Sequence, residues 1–116
     1  MHGVPADLDL SKFKDATLTQ LGIGEFQIQF LFHPQGNISV EGKWELRDSD
    51  GILIDQAKTN VEREICRLHI VLGKTVENYS INAPESFSLR FDSGHVLTVF
   101  DDSKQHESFS VNGIYI

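Results

Sequence analysis

Apolar and polar residues alternate along several short stretches of this chain, which is the spacing of β-strands with one face buried. Apolar residues occupy every second position over 26–32 and, with Gly42 in the series, again over 38–46. Pro34 and Gly36 lie between these runs and supply the fixed and the permissive backbone angles that turns use. The pattern therefore predicts a β-hairpin with one solvated face.

The apolar pattern of positions 18–40 recurs weakly at 76–99. The first set comprises Leu18, Leu21, Ile23, Phe26, Ile28, Phe30, Gly36, Ile38 and Val40, and the second Val76, Tyr79, Ile81, Phe87, Leu89, Phe91, Gly94, Leu97 and Val99. The two sets are offset by 58 to 61 positions. Self-similarity of this kind predicts one supersecondary unit used twice, each copy covering the apolar face of the other.

A helical pattern separates the two sets. Thr59 and Glu62 have the spacing of a capping box, and Gly73 stands where a C-terminal cap is expected. The apolar residues between them recur at helical intervals, at Val61, Ile65, Leu68 and Leu72. We expect one α-helix, over about 60–72.

These elements predict an α+β fold of two pseudo-repeated antiparallel β-meanders, packed as a sandwich or a partly open barrel, with the helix as the crossover. A chain of 116 residues suits a single domain over 1–116. Residues 1–17 are expected to be poorly ordered or to form a short helical lead-in. Open meanders leave unpaired edges, so self-association through a strand edge is one expected mode of assembly.

The formal net charge of −7, from 17 acidic and 10 basic residues, bears on the partner. Scattered lysines and arginines do not form the basic face that nucleic acid or an anionic membrane requires, so we expect neither partner. The acidic surface favours a basic protein instead. One cysteine and no secretory signal or spanning stretch favour a cytoplasmic location.

Recognised catalytic and cofactor patterns are missing from the sequence. There is no Gly-x-Ser-x-Gly elbow or glycine-rich phosphate loop, and the histidines lack partners at metal-ligand spacing. The sequence therefore predicts a protein that is not an enzyme and that uses no cofactor or metal.

The polar segment 101–109, between two apolar runs, is the main candidate for recognition. Its candidate partner-binding residues are Asp101, Asp102, His106 and Glu107. The alternative is a solvated connection whose side chains bond to local backbone amides. Trp44 is a further candidate, either as an interface anchor or as a core residue.

Three segments carry a family resemblance over nearly the whole chain from position 18. They contain the motifs Glu-Gly-x-Trp-x-Leu at 41–46, Asp-x-Ser at 101–103 and Glu-Ser-Phe at 107–109. In these motifs the chain resembles a group of small uncharacterised bacterial proteins, in which a tyrosine stands at the position of His106. Members of such groups are similar to immunity proteins that accompany bacterial toxins, which implies a protein partner.

The leading hypothesis is a non-enzymatic protein-binding module, similar to an immunity protein, that binds a basic partner. One alternative is a carrier of small apolar ligands with a cavity between the meanders. Its lining would comprise Phe26, Phe30, Phe87 and Phe91. A third alternative is an uncharacterised enzyme.

Overall fold

The computed structural model describes residues 8–24, 27–41, 43–56, 67–83, 85–100, 109–111 and 114–115. These residues form ten strands. In chain order they are β1 (Thr17–Ile23), β2 (Ile28–His33), β3 (Asn37–Val40), β4 (Trp44–Arg47), β5 (Leu53–Gln56), β6 (Val76–Asn82), β7 (Ser86–Phe91), β8 (Val96–Phe100), β9 (Phe109–Val111) and β10 (Ile114–Tyr115).

The strands form two open, five-stranded antiparallel sheets. The first sheet has the order β1-β2-β3-β9-β10, and the second has the order β5-β4-β8-β7-β6. Each sheet therefore contains a three-strand meander from one half of the chain and a two-strand hairpin from the other half. The predicted antiparallel β architecture is confirmed at this level, and neither sheet closes into a barrel within the described residues.

The run 38–46 was predicted as one continuous strand, and this prediction was wrong. β3 pairs with β2 and β9 in the first sheet, whereas β4 pairs with β5 and β8 in the second. The alternation of buried positions survives the change of sheet because both strands turn one face to the same core. A chain that bends from one packed sheet into the other at a corner can keep the same face of its strands towards the core.

One hydrophobic cluster lies between the sheets. It includes alternate residues of β2, β7 and β8, as the period of a half-buried strand requires. The largest fully buried side chains include Trp44, Phe13, Phe30, Phe87 and Phe91. Ser86, 5% exposed, is a polar residue among the buried side chains.

The predicted crossover helix is not present in the part of 60–72 that the structure describes. Residues 60–66 lie outside the described residues, and Leu68–Val71 form a four-residue 3-10 helix. Leu68 and Val71 are both buried, and their spacing of three suits a single 3-10 turn. The chain then extends at Leu72, and Gly73 adopts the positive φ of 81° expected for a helix-terminating glycine.

A similar turn precedes each meander. Ser11–Phe13 form a 3-10 helix before β1, as Leu68–Val71 do before β6. Each turn is followed by a residue with positive φ, at Asp15 (67°) and Gly73 (81°). Both first strands then contain a register shift near their start, at Leu18/Gln20 in β1 and at Val76/Asn78 in β6.

The two sheets are joined where β1 and β6 begin. Thr17 and Thr75 form an isolated antiparallel bridge, and their hydroxyl oxygens lie 3.1 Å apart. Leu18 donates its amide to the carbonyl of Lys74 at 3.0 Å. Val76 donates in return to the carbonyl of Ala16 at 2.8 Å. These reciprocal bonds fix one edge of the first sheet to the corresponding edge of the second.

Candidate functional site

Two connections join the two sheets. They link β3 to β4 and β8 to β9, and these strands pair as β3 with β9 and as β4 with β8. The first crossing, residues 41–43, leads from β3 in the first sheet to β4 in the second. The second crossing, residues 101–108, leads from β8 in the second sheet to β9 in the first. Consecutive strands thus lie in different sheets twice, at β3 and β4 in the first half of the sequence and at β8 and β9 in the second half.

Both crossings begin and end at one end of the molecule, which we call the crossing end. In the first sheet Val40, the last residue of β3, pairs with Phe109, the first residue of β9. In the second sheet the amide of Phe100, at the end of β8, donates to the carbonyl of Lys43 at 2.9 Å. The anchor residues of the second crossing are thus held by those of the first.

The two crossings differ in length. The first spans the sheets with three residues, whereas the second uses eight and contains the charged residues Asp101, Asp102, Lys104 and Glu107 as well as His106. Three residues are sufficient to connect neighbouring strand ends of the two sheets. The second crossing therefore contains more chain than the connection requires, and surplus polar chain on a rigid scaffold is where binding residues concentrate.

The described side chains around the crossing end are mostly charged and exposed. Lys43 places its Nζ 4.8 Å from the centre of the Phe100 ring, a cation–π contact beside the start of the second crossing. Glu41 and Glu85 are exposed at this end of the sheets. Ser86 is buried and pairs with Phe100 across β7 and β8. The exposed carboxylates of Glu41 and Glu85 thus lie beside strand ends that are hydrogen-bonded to their neighbours.

Four of the five predicted partner-binding residues, Asp101, Asp102, His106 and Glu107, lie outside the described residues. Their places in the chain put them in the second crossing. Trp44 is 1% exposed and lies in the core. Its side chain is covered within the described residues, as the core alternative describes.

A shallow hollow of about 300 Å³ on the outer face of the second sheet was not anticipated from the sequence. Its floor contains Ser80 and Ser88, which pair across β6 and β7, and Arg90 lies at its side. The hydroxyl groups of Ser88 and Thr98 lie 2.9 Å apart. Small hydroxyl residues at alternate, outward positions of neighbouring strands are the sequence signal that marks this face.

The arginines of this outer face are paired with carboxylates. Arg90 Nε lies 3.1 Å from Glu77 Oε1, and Arg47 Nε lies 2.9 Å from Glu45 Oε1. The hydrogen bond from Arg47 to Glu45 raises the pKa of the guanidinium, with their charge attraction as the second cause. The positive charge of Arg90 at the side of the hollow is therefore balanced by Glu77.

Every ionisable side chain between residues 8 and 100 whose burial the structure describes is at least partly exposed. At Asp9, hydrogen bonds from the hydroxyl and the amide of Ser11, at 2.6 and 3.0 Å, lower the pKa of an exposed carboxylate. Groups of three or more potential metal ligands do not occur within the described part of the chain. The described geometry thus offers surface charge and surface hydroxyls as its chemistry.

The phenylalanines of the carrier alternative are core residues where the structure describes them. Phe30, Phe87 and Phe91 are fully buried and belong to the cluster between the sheets. Phe26 lies outside the described residues. The described hollow, in contrast, lies on the outer face of the second sheet and has a polar floor.

Comparison with models of protein families gives no match, and neither the curated proteins nor the solved structures contain a significantly similar chain. Within the described residues, no helix has the length and apolar character needed to cross a bilayer.

Proposed function

We propose that this protein is a non-enzymatic protein-binding module of the cytoplasm, and that the second crossing at the crossing end contacts a basic protein partner. The observation that carries the proposal is the surplus chain of that crossing. The sheets are connected by three residues at 41–43, whereas 101–108 uses eight residues for the same passage and places three carboxylates there.

The proposal includes an internal repeat, in which β1–β5 and β6–β10 are two copies of one unit that have exchanged their last hairpins. Strand order supports this repeat, as do the paired 3-10 turns and the register shifts at equivalent places. The bridge between Thr17 and Thr75, 58 positions apart, lies where the two copies would meet about a local two-fold axis. If the two copies are equivalent, the three residues of the first crossing indicate how many residues the second crossing needs to connect the sheets.

Charge supports the choice of partner. The chain has a net charge of −7, and the exposed Glu41 and Glu85 add to the three carboxylates of the second crossing. A basic partner would be attracted to this end before contact, which increases the association rate and makes it sensitive to salt. The resemblance to proteins similar to immunity partners is consistent with such a module, whose partner would then be a basic toxin.

A defined cationic probe tests this assignment. Titration of the isotope-labelled protein with a ten-lysine peptide at low salt should move the amide resonances of 101–108, Glu41 and Glu85 most. Replacing both Asp102 and Glu107 by alanine should weaken peptide binding about five- to thirtyfold, because each exposed ion pair contributes up to about 1 kcal/mol. Binding should also weaken as salt is added.

Asp50→Ala is a charge-matched control at the opposite end of β4, in the exposed turn between β4 and β5. It removes one carboxylate and should change peptide binding less than either Asp102→Ala or Glu107→Ala. The proposal fails if the shifts centre on the turn at Asp50, or if all three single substitutions weaken binding equally. Equal effects would show that overall charge, not the second crossing, attracts the peptide.

A further inference from the structure

The outermost strands of the two sheets are β1 and β10 in the first and β5 and β6 in the second. Such edges offer unpaired backbone groups to other chains unless they are short, charged or otherwise blocked. β10 contains only Ile114–Tyr115. The other three edges are long enough to accept a neighbouring strand, and they differ in how they are protected.

The edges of the second sheet are blocked by their own side chains. On β6 the amide of Tyr79 donates to Oδ1 of Asn78 at 2.8 Å, and on β5 the amide of Gln56 donates to Oδ1 of Asp55 at 2.9 Å. Asp55 and Glu77 also place charge on these strands. A partner strand would have to displace these bonds and approach these charges.

β1 lacks this protection along its second half. Its seven residues, Thr17–Ile23, include no charged side chain. Ile23 is 55% exposed, one of the largest exposures among the hydrophobic side chains that the structure describes. The register shift of β1 lies between Leu18 and Gln20, so the pairing from Gln20 to Ile23 is regular.

The direction of the backbone groups follows from the hairpin between β1 and β2. The amide of Gly24 donates to the carbonyl of Gln27 at 2.8 Å, so these two residues form a hydrogen-bonded pair. Bonded and non-bonded pairs alternate in an antiparallel ladder. Gly22 therefore bonds to Gln29, whereas Leu21 and Ile23 turn their amides and carbonyls away from β2, towards the open edge.

We propose that two copies of this chain associate by antiparallel pairing of their β1 strands about Gly22. In this register Leu21 of each copy lies opposite Ile23 of the other, and the four residues exchange four hydrogen bonds. The two Gly22 residues form the central, non-bonded pair, in which the backbones approach most closely. Ile23 gains an apolar cross-strand neighbour, which accounts for an exposed isoleucine at the end of an uncharged edge.

A second copy is the occupant that β1 itself fits, because its second half is uncharged and pairs with an identical strand so that Leu21 lies opposite Ile23. A molecule of net charge −7 repels its own copies over most of its surface, so self-association needs a contact without like charges. The edge of β1 provides such a contact. This inference is independent of the proposed basic partner, because it concerns β1 and is read from the oligomeric state.

Substitutions at Gly22 test the pairing with little effect on the monomer. A Cβ at this position would lie 3.5 Å from Gln29 Oε1 and 3.6 Å from Gln29 Cβ, which are ordinary contacts. Gly22→Lys and Gly22→Glu would each place two like charges directly opposite one another in the dimer. Ser80→Lys, on the exposed face of edge strand β6, is the matched control.

Sedimentation equilibrium should show the unsubstituted protein forming a dimer as its concentration rises from about 10 µM to 1 mM, the range in which a small, transient interface associates. Gly22→Lys and Gly22→Glu should each weaken association at least about tenfold, whereas Ser80→Lys should not. An equal mixture of the two Gly22 variants should regain the dimer, since opposite charges then face each other.

Three results would overturn the inference. The unsubstituted protein could remain monomeric up to 1 mM, or its dimer could respond to Ser80→Lys and not to Gly22→Lys. The third is a mixture of the Gly22 variants that stays monomeric, because this would show that the two Gly22 residues do not face each other. Circular dichroism of each variant confirms that the monomer is folded before its association is measured.

Discussion

Replacing Trp44 by alanine is expected to lower the free energy of unfolding by about 3–5 kcal/mol, the usual cost of removing a large aromatic side chain from a core. Trp44 is 1% exposed, and its strand β4 pairs with β8 in the middle of the second sheet. Neighbouring residues there come from distant parts of the chain. The cavity left behind would therefore be difficult to close by a local rearrangement.

Urea denaturation followed by circular dichroism measures this loss, because the substitution removes the chain's single tryptophan and with it the fluorescence signal. Ile52→Ala is the control for an apolar side chain that is 60% exposed, and its effect should stay within about 0.5 kcal/mol. If Trp44→Ala were as mild as Ile52→Ala, Trp44 would not be a core residue and its role as an interface anchor would have to be reconsidered.

Gly36→Ala is expected to destabilise the protein by about 2–5 kcal/mol. Gly36 has a φ of +112°, in the region that favours glycine, so any side chain adds about 1–2 kcal/mol of backbone strain. A Cβ would also lie 2.8 Å from Cε1 of Phe13, which overpacks the core at a cost of about 1–3 kcal/mol. Phe13 cannot withdraw easily, because it is fully buried and packs edge to face on Phe32.

Gly51→Ala separates the two causes. Gly51 also has a positive φ, of 81°, but a Cβ there would meet no atom within 4 Å. It should therefore show the backbone cost alone, measured by the same urea transitions. Combining Gly36→Ala with Phe13→Leu should cost less than the sum of the two single changes, since the smaller side chain relieves the contact. Strict additivity would contradict the steric explanation.

The sequence predicted the inward positions of the strands well, because period-two alternation reports directly on which residues face the core. Ile28, Phe30 and Phe32 are buried in β2, and Leu97 and Val99 are buried in β8. Alternation does not report which sheet a strand joins. The exchange of hairpins depends on pairing between distant residues, such as Val40 with Phe109, which no local pattern specifies.

The alignment of the two halves illustrates the same limit. Phe30 was matched with Phe91, but the strand pairings place Phe32 opposite Leu18 and Phe91 opposite Val76. Under the repeat proposed above, with Leu18 equivalent to Val76, Phe32 and not Phe30 would correspond to Phe91, a displacement of two residues. A shift by two keeps every side chain on the same face of a strand, so hydrophobicity alone cannot detect it.

The helix prediction failed in the described part for a different reason. Leu68 and Leu72 have helical spacing, yet Leu68 is buried and Leu72 is 40% exposed. Packing of Leu68 and Val71 into the core required one 3-10 turn, followed by extended chain that leads into the Thr75 bridge. Tertiary contacts outweighed a local pattern that contributes only tenths of a kcal/mol per residue.

The sequence showed where the candidate site lies along the chain, but not how it is related to the two sheets. The polar residues of 101–108 stood out because they interrupt two apolar runs. That β8 and β9 belong to different sheets, and that the equivalent connection at 41–43 has three residues, depends on long-range strand pairing that the sequence does not show. The outer hollow went unrecognised because single serines and threonines, such as Ser88 and Thr98, are common on solvated strands.

The crossing end is defined by the position of β4 and β5 in the second sheet and of β9 and β10 in the first. Nuclear Overhauser contacts between strands test this arrangement, since the Cα atoms of paired residues in an antiparallel ladder lie about 4.5–5.5 Å apart. We expect contacts between Trp44 and Val99 and between Val40 and Phe109. Contacts that instead pair β3 with β4, or β8 with β9, within one sheet would contradict the account.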